Sequence, residues 1–167
     1  MGRRAGCELA SGLQRFKTMM TIKRILVPVD LSEPSIQALD YAVDLAVFFK
    51  AQLAIVFVAE PLYYAGDLGL FVEEQQRLGR EQLTILEARV RKAGRKCETI
   101  LLRGTPYQAI CDEARRRSAD LIVMGTHGRT GLSHLVMGSV ADRVVRGAPC
   151  PVLTVPPRPT VRRARKG

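Results

Sequence analysis

The sequence lacks a long apolar run and any clustered pair of cysteines. No apolar stretch approaches the roughly 18 residues that a membrane-spanning helix needs. Residues 1–20 contain no continuous apolar region like that of a signal peptide, so we predict a cytoplasmic protein without a membrane span. The four cysteines form no C-x-x-C pair, which argues against a disulfide framework or a zinc site: Cys7, Cys97, Cys111 and Cys150.

Acidic residues are too few to balance the basic ones, and the formal net charge is +10. Residues 1–20 carry +3 and residues 156–167 carry +5, which leaves +2 for residues 21–155. No aromatic residue is interleaved with the arginines of the C-terminal end, so nothing there favours stacking on nucleic-acid bases. We interpret residues 1–20 as a flexible extension, with Met20 as an alternative natural start, and residues 157–167 as a disordered basic tail. We predict no specific nucleic-acid partner.

Short apolar strands alternate with amphipathic helices between residues 21 and 156. Helices are predicted to begin after Ser32, near Phe71, after Thr105 and at Gly138-Ser139, and strands are predicted over 24–29, 52–58, 97–102, 119–124 and 151–155. This alternation is typical of βαβ units with a parallel sheet that is covered on both faces. We therefore predict one α/β domain, residues 21–156, with a doubly wound five-stranded parallel sheet of flavodoxin/Rossmann-like type and strand order 3-2-1-4-5.

The helices also predict which side chains face the core. In the first helix the inward stripe is Ile36, Leu39, Val43, Ala46 and Phe49, and in the last helix it is Val140, Ala141, Val144 and Val145. In the helix after Thr105 we expect Glu113 and residues 115–117 to face water. The arginines at 115–117 are then a solvated helix end, with a phosphate-binding surface as the alternative.

Residues with binding chemistry follow the first and fourth strands. In the order 3-2-1-4-5 the winding reverses between these strands, and ligands bind at the carboxyl ends of strands at such a point. Asp30 and Ser32 follow the first strand, and the pattern Gly125-x2-Gly128-x9-Gly138-Ser139 follows the fourth. Glycine permits positive φ and close approach of a ligand, and a helix that starts at Ser139 offers free amides to an anion. The pattern favours nucleotide binding.

Three blocks of the sequence resemble the ATP-binding type of the universal stress protein family. They are RILVPVDLSEPS, ADLIVMGTHGRTG with the Gly-x2-Gly-x9-Gly-Ser spacing, and GSVADRVVRGAPCPVLTV, and together they span about residues 21–156. The resemblance implies ATP, with or without Mg²⁺, in the crevice and a homodimer formed partly through residues 151–155. It also implies a nucleotide-dependent regulatory or stress-tolerance protein with little or no ATP turnover.

The resemblance assigns roles to individual residues. Asp30 is expected near the ribose or near a metal-bridged phosphate. Arg129 and His127 are either phosphate contacts or exposed loop residues. Phe57 stands where many relatives have histidine, which puts the fit on the adenine side in question. The remaining expected ligand residues are Pro28, Val29 and Val58 at the adenosine end, Met124 and Gly125 at the base and ribose, and Gly128, Gly138, Ser139 and Val140 at the phosphates.

No catalytic motif is present in the sequence. There is no GxxxxGK[ST] phosphate loop, no recognisable nucleophilic triad, and VPVDLSEPS replaces the histidine- or serine-glycine-rich motif of related adenine-nucleotide enzymes. We therefore predict no catalytic residues and a protein that is not an enzyme. A slow ATP hydrolase or another adenine-nucleotide enzyme of related fold is the alternative, and a nucleic-acid-binding module that uses the basic ends is a third.

Overall fold

The computed structural model describes residues 21–60, 68–127 and 137–157, and in residues 68–72 it describes the backbone only. The expectations for residues 1–20 and for the basic tail after residue 157 lie outside these ranges. Nine elements follow one another along the described chain: β1 Arg24–Val29, α1 Glu33–Phe49, β2 Gln52–Ala59, α2 Leu68–Lys92, β3 Cys97–Arg103, α3 Pro106–Arg117, β4 Leu121–Gly125, α4 Ser139–Gly147 and β5 Val152–Val155.

The five strands form one parallel sheet in the order β3-β2-β1-β4-β5, which confirms the predicted fold class and strand order. Five of the six residues of β1 are buried, as expected of a central strand that is covered on both faces. The winding reverses at β1, because β2 and β3 lie on one side of it and β4 and β5 lie on the other.

Two hydrophobic clusters cover the two faces of the sheet. The α1/α2 side contains Ile25, Val27 and Val29 of β1 with the inner residues of the two helices, including Leu39, Leu83, Leu86 and Val90. The α3/α4 side contains Leu26, Ile122 and Met124 with Ile110, Cys111, Ala114, Ala141 and Val144. Successive residues of each strand therefore alternate between the two sides, as the pleat requires.

Helix ends follow the predicted local chemistry in most places. The Ser32 hydroxyl accepts the Ser35 amide at 3.4 Å, so Ser32 caps α1 as predicted. Gly94, just after α2, has φ +75°, a conformation that favours glycine at a helix end. Thr105 occupies the cap position of α3 but makes no side-chain cap bond, so Pro106 and the backbone alone define that start.

Three predicted side-chain orientations are wrong. Phe49 is 36% exposed and packs edge-to-face on Phe48, in a last turn of α1 where Val47 and Phe48 are exposed as well. Val145 is 47% exposed, since the short α4 buries only the narrow stripe of Ala141 and Val144. Glu113 was expected in water but is 5% exposed, because its carboxylate accepts hydrogen bonds from two arginines of its own helix.

Among the described residues, none of the helices combines the length and the apolar character needed to cross a bilayer.

Candidate functional site

The site lies at the carboxyl ends of β1 and β4, which are neighbours in the sheet. The Asp30 turn leaves β1 at this edge, and Thr126 and His127 leave β4 beside it. The Gly138 amide donates to the Thr126 carbonyl oxygen at 2.8 Å, which fixes the start of α4 next to the end of β4. The structure thus brings the turn after the first strand and the helix after the glycine loop to one edge of the sheet.

Apolar side chains of the expected adenosine end share the α3/α4 side. Val58, Met124 and Val140 belong to one hydrophobic cluster. Pro28 lies opposite Val56, another member of this cluster, in the β1–β2 register. Met124 is buried, whereas Val58 and Val140 are only half-buried at the open end of the cluster. An apolar surface that is incompletely covered in this way suits contact with a flat ring.

Two residues of interest point to the opposite side. The Val29 side chain is 5% exposed within the α1/α2 core, so only its backbone can face the crevice. Phe57 is 4% exposed in the same core. Its replacement of histidine therefore changes the packing under α2 and leaves the Val58 and Met124 surface untouched.

Asp30 is held rigidly by the start of α1. Its Oδ1 accepts the Ser32 amide at 3.0 Å and the Ser32 hydroxyl at 2.5 Å, and its own amide donates to the Ser35 hydroxyl at 3.3 Å. Leu31, between them, has φ +69°, an uncommon value for a residue with a side chain, which these bonds help to maintain. Asp30 therefore has a local role in the turn before α1, and its role toward a ligand stays a prediction.

Gly125 has a packing cause that does not involve a ligand. A Cβ atom at this position would lie 3.1 Å from the carbonyl carbon and oxygen of Pro34, and 3.3 Å from the His127 carbonyl oxygen. All three are backbone atoms, two of them in the first turn of α1, and they cannot easily move away. The glycine therefore lets α1 approach the end of β4 closely.

Gly138 occupies the cap position of α4 with φ −61° and ψ 146°. Any residue adopts these angles, so positive φ is not the reason for glycine here. Ser139 is the exposed first residue of the helix, and the first amides of a helix have no intrahelical acceptor. The helix start remains a suitable place for an anion. Gly128 and Arg129 lie outside the described residues, so their expected roles stay predictions.

His127 carries a buried nitrogen that lacks a partner. Its Nδ1 lies 2.8 Å from the Thr126 hydroxyl, and its Nε2 is buried without a hydrogen-bond partner among the described residues. A buried polar atom left in this state costs stability. A hydrogen-bonding partner at the edge of β4 would remove that cost.

Sequence reasoning missed two residues at this edge, Tyr107 and Leu102. Both pack against the α3/α4 cluster, and Leu102 lies opposite Val58 in the β2–β3 register. The guanidinium carbon of Arg143, on α4, lies 5.2 Å from the centroid of the Tyr107 ring. The strand register gives a signal for Leu102, but the contact between Tyr107 and Arg143 depends on how α3 packs on α4.

A cavity of about 550 Å³ lies elsewhere, at the amino ends of β1, β2 and β3. Its rim includes Arg24, Gln52, Glu98 and Arg117. Two arginines of the rim are paired with carboxylates, Arg24 with Asp120 and Arg117 with Glu98, and Lys96 also lines the cavity. In the described part of the chain no group of three or more His, Cys, Asp or Glu side chains is arranged to hold a metal ion.

A doubly wound sheet with an apolar surface and a helix start at its switch point defines a class of α/β domains that bind ligands at the carboxyl ends of their strands. The sequence model of the universal stress protein family matches residues 21–156, and the chain belongs to this family.

Individual relatives agree with this membership. A universal stress protein of Methanocaldococcus jannaschii is 36% identical over 138 residues, which cover 80% of this chain and 81% of the relative. The structure of universal stress protein UspA from Lactobacillus plantarum superposes with a TM-score of 0.75 at 26% identity, over 80% of this chain and 97% of that one. A universal stress protein solved in complex with cAMP has a TM-score of 0.65 at 25% identity, over 81% and 97% of the two chains.

Proposed function

We propose that this chain binds an adenine nucleotide, ATP, in the crevice and acts as a nucleotide-dependent regulatory or stress-tolerance protein of the cytoplasm. One observation carries the proposal. The half-buried apolar surface of Val58 and Val140 adjoins the start of α4, which the Gly138–Thr126 bond holds at the same edge. A nucleotide needs both an apolar surface and anion-binding amides. The relative in complex with cAMP supports the choice of an adenine nucleotide.

Each part of the crevice has a proposed contact with the nucleotide. The adenine packs against Pro28, Val58 and Met124, with backbone contacts from Val29 and Gly125. Asp30 accepts hydrogen bonds from the ribose or binds a Mg²⁺ ion that the phosphates carry. The phosphates lie against Gly128, Arg129, Gly138, Ser139 and Val140.

The nucleotide is tested directly by native mass spectrometry of the purified protein and by calorimetry with ATP. Retained or added ATP in a ratio of one per chain supports the proposal. A protein that binds neither ATP nor another adenine nucleotide contradicts it.

The role of Asp30 is tested with Asp30→Asn, which keeps an oxygen for the Ser32 bonds and removes the charge. If Asp30 contacts the ribose, we expect a loss of ATP affinity below about tenfold and no effect of a chelator. If Asp30 acts through Mg²⁺, the loss is larger and a chelator reproduces it in the parent protein. Asp44→Asn, on the exposed face of α1, is the matched control and leaves binding unchanged.

We propose that ATP turnover is slow or absent. The sequence has no phosphate-loop lysine and no recognisable nucleophilic triad, and Asp30 is tied into the turn before α1 by two hydrogen bonds from Ser32. Phosphate release at saturating ATP measures this, and turnover at the rate of an ordinary enzyme, about 1 s⁻¹ or faster, would replace the regulatory proposal with a hydrolase.

We also propose a homodimer formed through residues 151–155. Strand β5 is an edge of the sheet with unpaired backbone groups, and such edges are usually covered. Leu153 is 40% exposed, whereas Val152 packs against its own α3/α4 cluster. Leu153→Lys therefore tests the interface without disturbing the core. Sedimentation should show a monomer for Leu153→Lys and a dimer for Ile85→Lys, a control at an exposed position of α2. A dimer in both variants removes β5 from the interface.

A further inference from the structure

We propose that Arg143 is a phosphate-binding side chain of the crevice and that the Tyr107 ring holds it in position. This inference rests on the proposed nucleotide site. Arg143 lies outside the glycine-loop pattern, and Tyr107 lies on a helix to which the pattern gives no role.

Helix geometry directs Arg143 toward the phosphate end of the crevice. Arg143 is four residues after Ser139, so the two residues lie on the same face of α4, one turn apart. Side chains on a helix lean toward its N-terminus. The guanidinium of Arg143 is therefore carried back toward Ser139 and the free amides of the first turn.

The Tyr107 ring fixes the side of the helix on which the guanidinium lies. Tyr107 belongs to the first turn of α3, which begins at the same edge of the sheet as α4. The ring is half-buried against the α3/α4 cluster, and the Arg143 guanidinium carbon lies 5.2 Å from its centroid. A guanidinium over an aromatic face gains a cation–π contact. Its N–H groups point outward in its own plane and remain available to an anion.

The charge of Arg143 is not neutralised by the described residues. It forms no ion pair with them, whereas Arg146, one turn further along α4, pairs with Asp142 at 3.1 Å. On α3, Arg115 pairs with Asp112 at 2.7 Å. An arginine that rests on an aromatic ring beside a helix start, without a carboxylate, retains its charge for a ligand.

The experiment compares adenosine, AMP and ATP by calorimetry. For Arg143→Gln we expect AMP and ATP to bind about tenfold more weakly and adenosine to bind as it does to the parent. Arg143→Lys should recover part of the loss, because it keeps the charge and loses the planar fork. Arg146→Gln, the matched control on the same helix, should bind all three ligands like the parent.

The role of Tyr107 is tested with a pair of variants. Tyr107→Phe keeps the ring face and should bind AMP like the parent. Tyr107→Leu keeps apolar packing but removes the ring, and should weaken AMP and ATP binding without changing adenosine binding. A merely structural role for Tyr107 would weaken all three ligands together.

The outcomes separate this inference from the proposed function. If Arg143→Gln binds AMP and ATP like the parent, the inference is overturned and the proposed nucleotide site stands. If Arg143→Gln weakens adenosine as much as AMP, Arg143 supports the crevice rather than the phosphate, and the inference is again overturned. If the parent protein binds no adenine nucleotide, the proposed function fails and the inference fails with it.

Discussion

At the amino ends of the strands, the arginines are bound to carboxylates. Arg117 donates to both carboxylate oxygens of Glu98 at 2.5 and 2.6 Å and to Glu113 at 2.5 Å. Arg116 donates to Glu113 as well, at 2.5 and 2.8 Å. Hydrogen bonds from these arginines hold the pKa of Glu113, and that of Glu98, below the ordinary value. Positive charge at this end is therefore used to hold α3 on the sheet.

At the carboxyl ends, Arg143 has no carboxylate partner among the described residues. Arg143 rests on an aromatic ring, the His127 Nε2 atom is buried without a partner, and α4 begins with amides that its own helix cannot satisfy. This end also carries the half-buried apolar surface around Val58.

The contrast shows what marks an anion site in this fold. The 550 Å³ cavity and the arginines of α3 both lie at the amino ends, yet these arginines are paired with carboxylates. An arginine without a carboxylate partner and the free first amides of α4 lie at the other end among the described residues. Ligands of doubly wound sheets also bind at that end. Substitutions at the carboxyl ends should therefore change ligand affinity, and those at the amino ends should change only the free energy of unfolding.

The largest expected effect is that of Gly138→Val on ATP affinity. The backbone angles of Gly138 suit valine, so the fold should persist. The new side chain would occupy space beside the first amides of α4, each worth roughly 1.5–3 kcal/mol when bonded to a charged oxygen. We expect ATP to bind at least about 100-fold more weakly in calorimetry, with circular dichroism confirming the fold.

Gly147→Ala, at the other end of α4, is the control for Gly138→Val. A Cβ atom at Gly147 would lie 3.7 Å from the Cys111 sulfur, an ordinary contact. ATP affinity should be unchanged in this variant. If Gly138→Val binds ATP like the parent, the phosphates do not bind at the start of α4. The carboxyl ends of the strands would then not be the anion site.

Local sequence signals were sufficient for most of the fold. The bounds of β1 were predicted as observed, because a short apolar run with polar residues on either side is typical of a strand that is buried on both faces. The bounds of β4 were not: the strand is Leu121–Gly125 rather than 119–124, and the Asp120 carboxylate just before it accepts the amides of Lys23 and Arg24. That bond joins segments almost a hundred residues apart, and no local pattern reveals it.

For the site, the strand order was enough to predict that Asp30 and Gly138 lie at one edge of the sheet. It could not explain why a particular residue type stands at each position. Gly125 is glycine because Pro34 is close. The Arg143–Tyr107 contact depends on the packing of two helices that are separated along the chain. Both features depend on distances between segments that are far apart in the sequence, and motif spacing along the sequence does not give these distances.

A second prediction concerns Gly79, on the α1/α2 side of the sheet. A substitution there should change stability without changing ligand affinity. A Cβ atom at Gly79 would lie 2.7 and 2.8 Å from two ring carbons of Phe57. Alanine usually stabilises a helix by about 1 kcal/mol relative to glycine. Here the buried ring cannot move away, and we expect Gly79→Ala to lower the free energy of unfolding by about 2 kcal/mol. Denaturant unfolding measures the loss, and ATP affinity of the folded variant stays at the parent value.

The cause of the Gly79 effect is tested by removing the ring. In a Phe57→Leu background the added methyl group has room, so the cost of Gly79→Ala should shrink, as a double-mutant cycle will show. Gly94→Ala is the control, since its φ of +75° makes alanine costly without any contact to Phe57. Phe57→Leu should not reduce the cost of Gly94→Ala. Equal costs of Gly79→Ala in both backgrounds would contradict the proposed clash.

The smallest expected effect belongs to the amino end and depends on pH. Glu113 is buried, and hydrogen bonds from Arg116 and Arg117 lower its pKa from the ordinary 4.5. A carboxyl with a lowered pKa in the folded state stabilises the protein above pH 4.5, and this contribution is lost as the pH falls through the folded-state value. Glu113→Gln should therefore cost on the order of 1 kcal/mol at pH 7, because Arg117 keeps Glu98 as a partner. The difference from the parent should narrow below pH 4.5 in urea unfolding, while ATP affinity at pH 7 stays unchanged. If the difference in unfolding free energy between Glu113→Gln and the parent does not change with pH, the charge of Glu113 does not hold α3. If Glu113→Gln also loses ATP affinity, the amino ends contribute to ligand binding, which contradicts the comparison between the two ends.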